Sequence, residues 1–238
     1  MYILIGLLAV AFLISFWMGY KRLLRLQHLN QRRVINGFIG VMVLLTLMTI
    51  GQGLEIVTEH IAARFTMFLY SGVAGFFVGF AVKMVFLRQE VETVEYLYRS
   101  FWTEAAPTLI AILVIAFGLY RTGLVTFGPY TGIGITSGLS LLGFGLFGLT
   151  VRIVPEFRRK GILILDQLVP WEQVVSYKWE SEDVIQIDYY TEDKKLTDFT
   201  TYIPTKDRLT IERLLGKKLK EHEQERKKMM DLHKGENG

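Results

Sequence analysis

The sequence predicts an α-helical membrane bundle followed by a small α+β domain built from antiparallel strands and one C-terminal helix. Three observations predict it. Of the 238 residues, 51% are hydrophobic, more than a water-soluble chain of this size usually carries. Up to residue 151 the apolar residues gather in long runs, near the roughly 20 residues a helix needs to cross a bilayer core. Beyond Pro155 the hydrophobic period shortens to two, the period of a strand.

Five spans follow in order. Tyr2–Tyr20 carries no charge. Its basic residues come after it and no small-x-small site follows, so it reads as an uncleaved anchor and not a signal peptide. Ile35–Leu54 is the second span, and Phe65–Leu87 the third, with Lys83 near enough to its end to snorkel. Ala105–Tyr120 is the shortest, with Pro107 in its first turn, where a missing N–H costs little. Thr131–Val151 is the fifth.

Charge placement orients these spans. The segment 21–33 holds Lys21, Arg22, Arg25, Arg32 and Arg33, whereas 55–64 holds only Arg64. The connection 88–104 holds Arg88 and Arg99, 121–130 holds only Arg121, and Arg152, Arg158, Arg159 and Lys160 follow the last span. Basic and basic-poor connections alternate, placing the N-terminus outside and the C-terminal domain in the cytoplasm.

The spans contain small residues but no deep charge. Gly75/Gly79 and Gly134/Gly138 are GxxxG pairs, which let helix backbones approach closely in lipid. They read first as packing positions within one bundle, with a homodimer seam or a glycine-lined pore as sharper alternatives. The absence of ionisable residues from the span centres argues against ion or proton coupling. In segment 89–104, Val91, Val94, Leu97, Tyr98 and Phe101 recur at helical spacing, and Glu95/Arg99 stand four apart. That predicts a cytoplasmic amphipathic helix with Trp102 as an interfacial anchor.

Motifs for catalysis are absent. Glu55, Glu59 and His60 are close in sequence, but no second histidine or H-x-x-x-H spacing supports a metal. The remaining histidines, His28, His222 and His233, are scattered, and there is no nucleophile elbow, phosphate loop or cysteine. No cofactor, no metal and no enzymatic activity are therefore expected. Nucleic acid is not expected either. Residues 152–238 balance 17 basic against 17 acidic side chains, so the net charge of +4 lies in the hydrophobic part.

The C-terminal part reads as strands. Phe157–Leu165 gives one or two, broken at Gly161; Val174–Trp179, Val184–Tyr190 and Leu196–Ile203 follow. Val175, Tyr177 and Trp179 share one face, as do Ile185, Ile187 and Tyr189. Pro204-Thr205 opens a helix with Thr205 as N-cap, whose stripe Ile211, Leu214, Leu215 and Leu219 packs on the sheet. Residues 223–238 form a charged tail. The basic cluster Arg158, Arg159 and Lys160 is expected just below the headgroups.

The run KGILILDQLVPWEQVVSYKWESEDVIQIDYY, with Gly161, Pro170-Trp171-x-x-Val174 and Tyr177-x-Trp179 ahead of a closing helix, resembles the small pleckstrin-homology-like (PH-like) domains at the C-termini of uncharacterised bacterial multi-pass membrane proteins. The resemblance covers about residues 155–222. It implies a PH-like barrel in the bacterial plasma membrane's cytoplasmic compartment that binds a protein partner, a lipid headgroup or a second copy. The turn at Asp166 and Gln167 carries no lysine cluster of the phosphoinositide-binding kind. Trp171, Tyr177 and Trp179 are expected in the domain's core or docking face. The function expected is a non-enzymatic membrane scaffold or regulator that docks a protein partner or forms a homo-oligomer. The alternative is a transporter or channel component for a neutral solute, with the domain as gate. A membrane enzyme using Glu55, Glu59 and His60 comes third.

Overall fold

The computed structural model describes residues 2–22, 31–191 and 195–225, and gives some side chains of the second helix no description. The basic residue Arg25, His28, His233 and the tail from residue 226 lie outside the described residues. The chain divides into two compact units, one of residues 1–87 and 104–151, the other of 88–103 and 152–238.

The first unit is helical. It contains α1 (Tyr2–Tyr20), α2 (Gln31–Gly53), most of α3 (Glu59–Glu90), α4 (Ala106–Thr122) and α5 (Gly132–Thr150). Among the described residues four helical stretches are long and apolar enough to cross a membrane: α1, α3, Phe101–Thr122 and α5. The expected start of the fourth span at residue 105 moves outward, because a single π-helical turn, Phe101–Ala105, runs straight into α4. Thr131 caps α5, its hydroxyl accepting from the Gly134 N–H at 3.0 Å.

Helix α3 lies between α1 and α5. The Ser71 hydroxyl donates to the Leu8 carbonyl at 2.8 Å, and Gly75 and Gly79 lie directly against the Phe12 and Phe16 carbonyls of α1. On α5, Gly143 faces Ala74, while Phe144 meets Phe77 edge-on and Phe147 meets it at a tilt, the ring centroids 5.1 Å apart in both pairs. Helices α4 and α5 pack as a hairpin through Gly118, Gly138 and Gly145. Small residues bring the backbones together, and aromatic rings fill the space beside them.

Among the described residues the second unit holds two antiparallel sheets and a helix. Strands β1 (Val94–Leu97), β2 (Glu156–Arg158), β3 (Gly161–Ile164) and β4 (Gln167–Pro170) form one sheet in the order β1-β2-β3-β4. Strands β5 (Val174–Trp179), β6 (Val184–Tyr190) and β7 (Leu196–Tyr202) form the other in the order β5-β6-β7. The closing helix is α6 (Arg208–Glu221). Both sheets and α6 share one core. It includes Phe157, Ile162, Val169, Trp171, Ile185, Ile187, Ile211 and Leu215, all nearly inaccessible. Alternation in β6 turns Ile185, Ile187 and Tyr189 inward.

Four expectations are corrected. Residues 89–104 do not form an amphipathic helix. The helix α3 stops at Glu90, a turn follows, and Val94–Leu97 pairs with β2 as an edge strand. A run as short as Val-Glu-Tyr-Leu fits either period, and the open edge of β2, together with β-branched and aromatic content, selects the strand. The domain therefore does not begin at residue 155. It is discontinuous, with the α4–α5 hairpin inserted between its first and second strands. Nor is it a closed barrel: the two sheets remain separate. Thr205 is not the helix N-cap either; a 3-10 turn, Thr205–Asp207, precedes α6.

Candidate functional site

The most elaborated polar constellation holds β1 and the end of α3 onto the rest of the discontinuous domain. Period-two geometry puts Glu156 and Arg158 on one face of β2 and sends Phe157 to the core from the other. Glu156 is 1% exposed and Arg158 7%, so both charges must be matched locally. Arg158 donates through Nε to Glu156 Oε2 at 2.8 Å, and through Nη1 to the carbonyls of Arg88 at 2.9 Å and Glu92 at 2.7 Å. Arg88, in the last turn of α3, donates through Nη2 to Glu156 Oε1 at 2.9 Å. A guanidinium at a helix C-terminus also suits the helix dipole.

Two further ties reach β1 from the C-terminal segment. Lys218 on α6 is 5% exposed and donates to Glu95 Oε1 at 2.7 Å. The Tyr96 hydroxyl donates to Asp207 Oδ2 at 3.1 Å. Burial, and then that carboxylate, hold the Tyr96 hydroxyl above the ordinary tyrosine range. Between α3 and β1, Glu92 takes a left-handed backbone with φ of 65°, a region non-glycine residues seldom adopt. Its carboxylate faces Lys160 at 3.1 Å and Arg159 at 3.5 Å.

The expected site residues separate into different environments. Trp171 is fully buried, its indole N–H shared between the Arg158 and Arg159 carbonyls at 3.1 Å each. Tyr177 and Trp179 are half-buried against the same core. The Arg208 guanidinium lies over the Trp179 ring, 4.6 Å from its centroid. Gly75 and Gly79 face α1, Gly138 faces Gly118 and Thr122 of α4, and Gly134 sits beside the Thr131 hydroxyl and the Arg121 carbonyl. Of the basic cluster, Arg159 and Lys160 are exposed, but Arg158 is not a surface cation. Its position two residues from Glu156 on a covered strand makes it internal.

Among the described residues, the one group of three ligand-type side chains within 4.8 Å of one another is Glu172, His222 and Glu225, not Glu55, Glu59 and His60. Both carboxylates address the same His222 nitrogen, Nδ1, at 3.0 and 2.8 Å. In the helical unit a cavity of about 670 Å³ opens between α1, α3 and α5. It is lined by Leu8, Phe12, Met67, Ser71, Ile135 and Leu139 among others, with no charged side chain.

Sequence reasoning missed Arg88, Glu95, Tyr96, Glu156, Asp207 and Lys218 as a set. Their partners stand up to 123 residues apart, so no local spacing connects them. The readable signal was the flanking of Phe157 by an acid and a base, the pattern of a strand with one charged face.

The architecture defines a class: a protein of several apolar, membrane-length helices carrying an antiparallel two-sheet domain with a closing helix. Residues 154–220 match the family model described as Domain of unknown function (DUF5673). The match takes in β2 through nearly all of α6 and leaves β1 outside. Comparison with curated proteins and comparison with solved structures each returned no match.

Proposed function

We propose that the chain is a five-span protein of the bacterial plasma membrane whose cytoplasmic, PH-like domain docks a protein partner or a second copy, serving as a non-enzymatic scaffold or regulator. The observation that carries this reading is the insertion of the α4–α5 hairpin into the domain. Among the described residues, seven strands split four and three and followed by one helix support the PH-like assignment. Because β1 and β2 pair, the segments before α4 and after α5 share one side of the bilayer. The hairpin between them leaves and returns. With α1, α2 and α3 as the other spans, the N-terminus lies opposite, and the basic residues at 21–33 and 152–160 favour a cytoplasmic domain. The domain is joined to the helices at three chain crossings, 87/88, 103/104 and 151/152. A binding event on its sheets has three covalent routes into the bundle.

Photocrosslinking in cells tests this. A photoreactive residue at exposed Ser176 or Lys178 on β5 is expected to capture one and the same protein, identified by mass spectrometry, whereas a probe at exposed Leu7 on α1 captures none. No adduct from β5, combined with solute flux through proteoliposomes holding this chain alone, overturns docking in favour of transport. The uncharged cavity between α1, α3 and α5 is the observation that favours that second reading, with a neutral, apolar solute as cargo.

A further inference from the structure

Glu156 meets three guanidinium groups, and they are unequally satisfied. Its Oε2 is taken by Arg158. Arg158 then spends its other donors on the Arg88 and Glu92 carbonyls, so its hydrogen bonding is nearly complete. Its Oε1 is shared by Arg88, with Nη2 at 2.9 Å, and Arg152, with Nε at 3.7 Å. Among the described residues, neither Arg88 nor Arg152 makes any other ion pair. The Arg88 Nε is buried and makes no hydrogen bond among the described residues.

Two guanidinium groups thus converge on a single carboxylate oxygen, leaving donors over, in a cluster with three positive charges and one negative. A buried, unmade donor is costly, and uncompensated like charges repel. An anion with several oxygens, offered to the planar forks of both arginines, resolves both problems, since guanidinium groups match phosphate bidentately. The chain positions point the same way. Arg88 is in the last turn of α3, and Arg152 stands two residues beyond the end of α5. In a spanning chain those are the levels at which lipid phosphates lie.

We propose that Arg88 and Arg152 form a binding site for a phosphate oxyanion, with Glu156 and Arg158 holding the two guanidinium groups in place. The phosphate comes either from an anionic lipid headgroup or from a soluble phosphate. The site stands whether or not the sheets dock a protein.

The test uses the full-length protein in nonionic detergent, following its thermal unfolding midpoint at fixed ionic strength. Phosphatidylglycerol, phosphatidylcholine and inorganic phosphate are titrated separately. Phosphatidylglycerol or inorganic phosphate is expected to raise the midpoint saturably. A response to phosphatidylglycerol alone assigns a lipid headgroup, and a response to inorganic phosphate assigns a soluble anion. Arg152→Gln is expected to weaken the response about tenfold, the loss of one charge-assisted contact. Arg159→Gln, at an exposed arginine facing Glu92, leaves it unchanged. No saturable shift with either anionic probe, an equal shift with phosphatidylcholine, or equal weakening in both variants overturns the site. Should Arg152→Gln fail to fold, the wild-type titrations decide alone.

Discussion

Arg158 grips Glu156 Oε2 at 2.8 Å on its own strand and, with the same guanidinium, holds the Glu92 carbonyl at 2.7 Å across 66 residues of sequence. One side chain therefore links the strand that follows the α4–α5 hairpin to the turn that precedes it. Glu156→Gln keeps the shape of the partner but removes its charge, stranding the buried Arg158 and leaving Arg88 unmatched. The expected loss is about 3–5 kcal/mol, the cost of breaking a buried pair from one side. Arg159→Gln, on an exposed pair, is expected to cost about 0.5 kcal/mol or less. Urea unfolding of the full chain in detergent, followed by tryptophan fluorescence, measures both. A Glu156→Gln loss no larger than that of Arg159→Gln would mean the cluster does not hold the domain together.

The discontinuous domain gives a second expectation, about what folds alone. Residues 152–225 lack β1, so β2 becomes an unpaired edge and Lys218 loses Glu95. Residues 88–103 joined to 152–225 through a generous Gly/Ser linker restore both. Loop-closure cost grows slowly with linker length, so the linker need not be optimal. The joined form is expected to melt cooperatively by circular dichroism, and residues 152–225 alone to melt much lower or not at all. Equal melting of the two would make β1 an accessory.

That contrast also shows what could be read from the sequence and what could not. The apolar runs of α1, α3 and α5 were legible, since lipid demands about 20 apolar residues from each helix on its own. Strand β6 was legible because it alternates around one core: Ile185, Ile187 and Tyr189 declare their face without reference to any other segment. Strand β5 was legible through Tyr177 and Trp179, but a register shift between Val174 and Ser176 leaves Val174, not Val175, in the core. Strand β1 was not. Val94–Leu97 is too short for its period to be distinctive, and its reason to be a strand lies at residues 156–158, on the far side of two membrane-length helices. The polar junction was hidden for the same cause. Lys218 looks like one of several lysines on α6 until Glu95 is brought beside it. Arg158 looked like a topology signal because, by sequence, it is one of three consecutive basic residues. Burial alone separates it from Arg159 and Lys160.

Tyr96 makes the junction sensitive to alkaline pH. Its folded pKa stands above the unfolded value, chiefly through burial and then through the Asp207 carboxylate. The contribution is therefore complete below about pH 10, the ordinary tyrosine value, and is lost as pH rises beyond it, because the unfolded chain ionises first. Tyr96→Phe is expected to be less stable than wild type at pH 8, through loss of the Asp207 bond. The gap should narrow between pH 10 and 11. Denaturant midpoints of both proteins across that range provide the check; background titration of the other ten tyrosines cancels in the difference. A gap that is constant with pH would show that Tyr96 ionises alike in both states.

The glycines of α3 carry a prediction with a built-in control. A Cβ at Gly75 or Gly79 would overlap the Phe12 or Phe16 carbonyl of α1, which are backbone atoms and cannot swing aside. Helices α1 and α3 would have to separate, breaking the Ser71–Leu8 hydrogen bond between them. A Cβ at Gly6 on α1 meets nothing within 4 Å. Gly75→Ala and Gly79→Ala are therefore expected to lower the thermal midpoint in detergent, at about 1–3 kcal/mol each as for overpacking. Gly6→Ala is expected to hold or raise it, since alanine is the better helix former. Size-exclusion with light scattering should find the same particle mass in all three. If instead the α3 variants kept their midpoint and changed mass, these glycines would belong to a seam between copies and not to the contact with α1.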